Sequence, residues 1–143
     1  MKKIIAILFI GFLTFSINAQ EKKEVDPNAP AFEFETEVID FGKIEHKSDG
    51  VRVFKFKNNG KSPLIISNAK SSCGCTVPKF SKEPIMPGDS GTIEVKYDTS
   101  RIGGFSKTIT IYSNANQKLK RIRIKGIVMR PETNTTAKVN TAS

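Results

Sequence analysis

The feature that most constrains this chain is a two-residue alternation of apolar and polar side chains that returns along nearly all of its middle. Phe32-Glu33-Phe34-Glu35 places two Phe on one side and two Glu on the other. Similar short runs stand at residues 38–44 (VIDFGKI), 64–66 (LII), 92–97 (TIEVKY), 107–112 (KTITIY) and 120–125 (KRIRIK). A period of two is that of a strand with one buried face. Residues 51–57 (VRVFKFK) alternate with a break of phase between Val53 and Phe54, which predicts a β-bulge there. Between the runs lie turn-forming groups: Asn58-Asn59-Gly60, Met86-Pro87-Gly88-Asp89, Gly103-Gly104 and Asn114-Ala115-Asn116. No window carries an apolar stripe at helical spacing. About seven short strands separated in this way predict an all-β fold, an antiparallel β-sandwich with Lys, Arg, Thr and Glu outward. With ten Phe and no Trp, the core is expected to be filled by Phe, Ile and Val, and the Cys…Trp…Cys arrangement of antibody domains is missing.

The flanks lack this pattern. Lys2 and Lys3, an apolar run from 4 to 15, and Ser16-Ile17-Asn18-Ala19 before a charged stretch have the order of a secretory signal peptide over residues 1–19. The apolar run falls short of the roughly 20 residues of a membrane span, so no integral span is expected after cleavage. Residues 20–30, charged and holding Pro27 and Pro30, read as a linker. Residues 31–130 read as the sandwich, and the polar residues 131–143 as a disordered tail. These features predict an exported protein, periplasmic or secreted, and argue against a nucleic-acid partner. Cleavage removes Lys2 and Lys3 and leaves 21 basic against 14 acidic residues, a net charge of +7. Such a charge favours anionic partners and is silent about fold.

Ser71-Ser72-Cys73-Gly74-Cys75-Thr76 holds both cysteines of the chain. In an extended strand, residues two apart share a face at a Cα spacing near the upper limit for a disulfide, about 6.8 Å. Gly74 is free to adopt a positive φ and pinch the chain, with Thr76 as neighbouring support. A Cys73–Cys75 bridge is therefore open to this sequence, and a short-loop bridge would be readily reduced. Three readings stand side by side: a packed structural pair, a thiol–disulfide function, and a Cu(I) site, since two thiolates suit a soft cation. Zinc wants four ligands, and the chain adds only His46, which sits in a polar turn and reads as a solvated loop residue. Ser71 and Ser72 have no evident His/Asp partners, so no catalytic residue is assigned. Arg121, Arg123 and Lys125 share one face of a strand, as do Lys55 and Lys57. Both rows suit solvated faces, and the first is also a candidate for binding an anionic glycan or surface.

Asp40-Phe41-Gly42-Lys43-Ile44, the run from Phe56 to Ile66 (FKNNGKSPLII), and Ser72-Cys73-Gly74-Cys75-Thr76-Val77-Pro78 carry a family resemblance. Ile85-Met86-Pro87-Gly88 and Ser113-Asn114 extend it. Over about residues 32–129 the chain resembles the bacterial domain-of-unknown-function 1573 family, common in exported proteins of the Bacteroidota. The resemblance implies an immunoglobulin-like sandwich, related in architecture to periplasmic-chaperone and major-sperm-protein domains, and it brings no established activity. The expectation is a non-enzymatic exported module without a cofactor, serving protein interaction or envelope structure with an envelope protein as partner. Thiol or Cu(I) chemistry at Cys73-Gly74-Cys75 and adhesion through the basic faces are the alternatives.

Overall fold

The computed structural model describes residues 26–132. The expected signal peptide, residues 20–25 of the expected linker and the tail from residue 133 lie outside them. Eight strands succeed one another: β1 (Phe32–Phe34), β2 (Val38–Ile44), β3 (Val51–Asn58), β4 (Ile66–Ser71), β5 (Thr76–Phe80), β6 (Ser90–Tyr97), β7 (Gly103–Ser113) and β8 (Leu119–Val128). They form two four-stranded sheets, ordered β1-β3-β6-β5 and β2-β8-β7-β4. Among the described residues no helix is long and apolar enough to cross a membrane.

The sequence reading is one strand short, because residues 66–80 hide their character. β4 reads Ile-Ser-Asn-Ala-Lys-Ser, with little apolar alternation, and β5 carries Pro78. Both are edge strands, where a proline and small polar residues are tolerated because one row of backbone groups needs no ladder partner. Leu64 makes only an isolated bridge to Ile85.

The expected bulge at Val53/Phe54 does not occur. β3 pairs with β6 in unbroken register from Val51↔Lys96 to Lys57↔Ser90. Arg52, Phe54, Phe56 and Asn58 turn inward, and Val53 faces solvent at 44% exposure. The phase break is a matter of side chains: the Arg52 guanidinium lies 4.2 Å from the centroid of the Phe41 ring and donates to the Val51 carbonyl. An inward arginine at the end of the sandwich is thus satisfied by a ring face and a backbone oxygen. The register shifts fall instead in β2, between Asp40 and Lys43, and in β4, between Ile66 and Asn68. The β2–β8 pair is parallel, a departure from the purely antiparallel expectation.

Between the sheets, Phe54, Leu64, Ile93, Val95, Ile109, Ile111 and Ile124 are fully buried, as expected of a core of Phe, Ile and Val. Phe32, Phe34 and Phe56 cluster with ring centroids 5.1–5.5 Å apart. Towards the other end, Phe105 stacks on Tyr97 at 3.8 Å and meets Phe41 edge to face at 5.3 Å. Residues 26–30, read as the end of a linker, are tied to the sandwich: Asn116 bonds both the N–H and the carbonyl of Asp26, and Ser62 donates to the Asn28 carbonyl.

Candidate functional site

The chain passes between the sheets five times, and two of these crossovers join edge strands, one at each side of the sandwich. β1 passes to β2 through Glu35-Thr36-Glu37, and β4 passes to β5 through Ser72-Cys73-Gly74-Cys75. The β4–β5 crossover folds under local restraints. The Ser72 N–H donates to the Thr108 carbonyl at 3.0 Å, and the Ser72 hydroxyl accepts from the Thr108 N–H at 3.3 Å. The Thr76 N–H reaches back to the Cys73 carbonyl at 3.4 Å, and the Asp98 N–H donates to the Cys75 carbonyl at 2.9 Å.

These contacts draw Cys73 and Cys75 to a Cα separation of 5.4 Å, and the two are joined as a disulfide. The pinch is made without a left-handed residue: the positive-φ glycines are Gly42, Gly88 and Gly103. The role expected of Gly74 is therefore not used, and a Cβ on it would meet nothing. Cys75 is buried at the margin of the core, Cys73 packs half-buried against it, and Thr76 is buried with its hydroxyl 3.8 Å from the Cys75 sulfur. As a bridge, the pair presents no thiolate for attack or metal binding. His46 lies at the same end of the sandwich, where Nε2 donates to the Ser100 carbonyl at 3.1 Å. No group of three or more His, Cys, Asp or Glu placed to hold a metal occurs among the described residues.

Arg121, Arg123 and Lys125 all project from the outer face of β8, as their spacing implies. Lys125 pairs with Asp40 at 3.2 Å. Asp40 also accepts from the Gly42 N–H at 2.8 Å, and that bond, followed by Lys125, lowers its pKa from the ordinary carboxylate value. Lys43 and Lys70 belong to the same face, brought there by pairings that a single strand does not reveal: Lys43 stands opposite Ile127, and Lys70 opposite Thr110. Lys55 and Lys57 lie on the outer face of the other sheet.

A sandwich of two four-stranded sheets, with β1/β2 and β4/β5 switching sheets at opposite sides and β2 running parallel to β8, defines a PapD-like, immunoglobulin-like domain. The chain belongs to the family described as "Protein of unknown function (DUF1573)", whose model matches residues 32–128. Among solved structures it is similar to a protein of unknown function from Porphyromonas gingivalis W83, with a TM-score of 0.65 and 17% identity over 76% of this chain and 51% of that one. It is also similar to PapD-like domain 7 of human CEP192, with a TM-score of 0.63 and 10% identity over 82% of this chain and 98% of that domain. A third similarity is to the VesB protease of Vibrio cholerae, with a TM-score of 0.55 and 16% identity over 71% of this chain and 32% of the protease. The chain thus spans about half of the Porphyromonas protein and a third of the protease. At these identities the likeness is one of fold. No curated protein matches the chain.

Proposed function

We propose that this protein is an exported, non-enzymatic binding module that attaches to a component of the cell envelope through a sheet face. The observation that supports it most is how the perturbed titratable groups are used. Active sites concentrate shifted pKa values in a cleft; among the described residues the shifted groups belong to structural elements. Asp40 is lowered by the N–H of its own bulge and by Lys125. Asp98 is lowered by the hydroxyl and N–H of Ser100 within a turn. Tyr97 is raised by burial in the core. The one hydroxyl beside any of them, that of Ser100, donates to the Asp98 carboxylate, and His46 meets Ser100 through its backbone carbonyl and not through that hydroxyl.

A face is favoured over an edge because all four edge strands are blunted. β1 has three residues, β2 and β4 are bulged, and β5 has Pro78 at its centre. Immobilised residues 20–143 should retain an envelope component from a detergent extract while showing no turnover of ester, peptide, glycoside or disulfide substrates. Robust turnover with no retained component would overturn the reading.

A thiol reading is supported by one observation, the bridge at a surface crossover with Cys73 as its less buried half. A partner thiolate would attack the Cys73 sulfur, forming a mixed disulfide and releasing Cys75 as the thiolate. Cu(I) would instead require prior reduction of the bridge. A reduction potential below about −300 mV marks a resistant structural bond; that value, together with no Cu(I) uptake by the reduced protein, would remove both forms of this reading.

A further inference from the structure

The two sheets differ in charge. β2, β4, β7 and β8 contain seven Lys or Arg and a single acidic residue, Asp40. β1, β3, β5 and β6 contain five basic residues with Glu33 and Glu94, and there Lys79 pairs with Glu94 at 3.5 Å.

On the basic sheet the outward side chains form a repeat. The β7–β8 register sets Thr110 beside Arg121, Thr108 beside Arg123 and Ser106 beside Lys125. A cation and a hydroxyl thus recur together three times, every second residue, at about 6.6–6.8 Å per step. Lys70 on β4 extends the first of these rows from the other side of Thr110. Among the ion pairs of the described residues, Arg121 and Arg123 take no part, and Lys125 shares Asp40. Below Lys125 the repeat runs into an open depression of about 620 Å³, lined by Gly42, Lys43, Gly104 and Ile127 among others.

We infer that this face binds an acidic polysaccharide lying along β8. Arg121, Arg123 and Lys125 would meet successive carboxylates or sulfates, and Thr110, Thr108 and Ser106 would hydrogen-bond the sugar hydroxyls between them. The inference rests on the binding-module reading and names its partner. A compact anion would need one convergent cluster, whereas a straight row of equally spaced cations fits a polymer with charge recurring along its length. A stacking platform for single-stranded nucleic acid needs several aromatic rings, and on this face there is Tyr112 alone. A lipid surface would call for a continuous apolar face; here the exposed Val38, Leu119 and Ile127 are set singly among the cations, Val38 opposite Arg123 and the other two at the ends of the row on β8.

Calorimetric titration at low salt with polygalacturonate, dextran sulfate, neutral dextran, phosphatidylglycerol vesicles and duplex DNA tests the assignment. Polygalacturonate or dextran sulfate should bind, and neutral dextran should not. R121S/R123S should weaken binding at least tenfold and flatten its salt dependence, with thermal unfolding close to that of the parent. K55S/K57S removes the same charge from the opposite face and should change affinity less than twofold. R123Q alone should fall between. Equal weakening by the two double variants, no binding of either polyanion, or tighter binding to vesicles or DNA would each overturn the inference. If the polyanions fail but the immobilised protein still retains an envelope component, the partner assignment falls and the binding-module reading stands. If both fail, both fall.

Discussion

Asn58 carries a dense set of restraints. It is fully buried at the end of β3, and its amide satisfies four backbone groups. Nδ2 donates to the carbonyls of Ser62 and Ile85 at 2.8 and 2.9 Å, and Oδ1 accepts from the N–H groups of Ala31 and Gly60 at 3.3 and 3.0 Å. Its own N–H and carbonyl bond Asp89 and Gly88. One side chain therefore ties together the entry to β1, the β3–β4 turn and the segment before β6. Asn58→Ala orphans the Ser62 carbonyl and the Ala31 and Gly60 N–H groups, while the Ile85 carbonyl keeps the Leu64 N–H, at about 1–3 kcal/mol for each that stays dry. A total loss of at least about 3 kcal/mol is expected by urea unfolding, and a loss below 1 kcal/mol would contradict this account. Asn58→Asp should be as damaging at neutral pH, since a carboxylate oxygen would face two carbonyls. Gly50 is demanding for a different reason: a Cβ there would collide with the Tyr97 backbone carbonyl and crowd Thr99. Acid sensitivity is also a residue-scale property. Asp40 and Asp98 have folded-state pKa values below the ordinary one, so their stabilising contribution is present above the unfolded carboxylate pKa of about 3.9. It is lost as pH falls through the lower folded values. Stability should stay level from about pH 5 to 8 with respect to these groups and decline below about pH 4. D98N should show a shallower decline, read as unfolding midpoint against pH, and an unchanged slope would count against the role of Asp98.

Strands with one buried face and one wet face were open to reading because period two records that asymmetry directly. Six of the alternating runs became strands β1, β2, β3, β6, β7 and β8. The seventh, residues 64–66, touches β4 only at its first residue. β4 and β5 were missed because an edge strand is released from part of the ladder and from strict burial, and so loses the signal the reading relies on. The Val53/Phe54 break misled for a related reason. Hydrophobicity alone puts Val inward and Arg outward, whereas Arg52 finds a ring face on Phe41, a contact between strands distant in sequence. At the candidate site, the adjacency of Cys73 and Cys75 and the row Arg121–Arg123–Lys125 were legible as local spacing. The additions of Lys43 and Lys70 were not, because they depend on register. The Cys73–Cys75 bridge closes a very short loop, and chain entropy assigns it about 1–2 kcal/mol. The crossover it spans is also held by the Ser72–Thr108 pair and the Asp98–Cys75 bond. Cys73→Ser/Cys75→Ser should therefore remain folded and lose about 1–2 kcal/mol by urea unfolding, and failure to fold would show that the bridge holds the β4–β5 corner alone. Gly74→Ala should stay within about 0.5 kcal/mol of the parent, because its φ is ordinary and the space beside it is open.

At the scale of the molecule, the two sheets are bound into one cooperative unit by side chains that alternate between them. Arg52 of β3 lies on Phe41 of β2, Phe41 meets Phe105 of β7, and Phe105 stacks on Tyr97 of β6. Strands β3 and β6 belong to one sheet, and β2 and β7 to the other, so the chain of contacts leaves the first sheet and returns to it. Neither sheet keeps its apolar face covered if the other leaves, and β2–β8 pairing joins residues as far apart as Val38 and Arg123. Contacts of such long range form late and all together, which places folding in the millisecond-to-second range typical of sandwiches and favours two-state unfolding. The chain supplies its own reporter: it has no Trp and two Tyr, of which Tyr97 is buried and Tyr112 lies on the basic face. Tyrosine fluorescence, dominated in its change by Tyr97, should therefore trace the same urea midpoint as far-UV circular dichroism. Phe105→Ala, which removes the ring between Phe41 and Tyr97, should lower both midpoints together by about 3–5 kcal/mol of stability. Midpoints that separate in the parent protein would mean that the sheets part in steps and that the aromatic chain does not couple them.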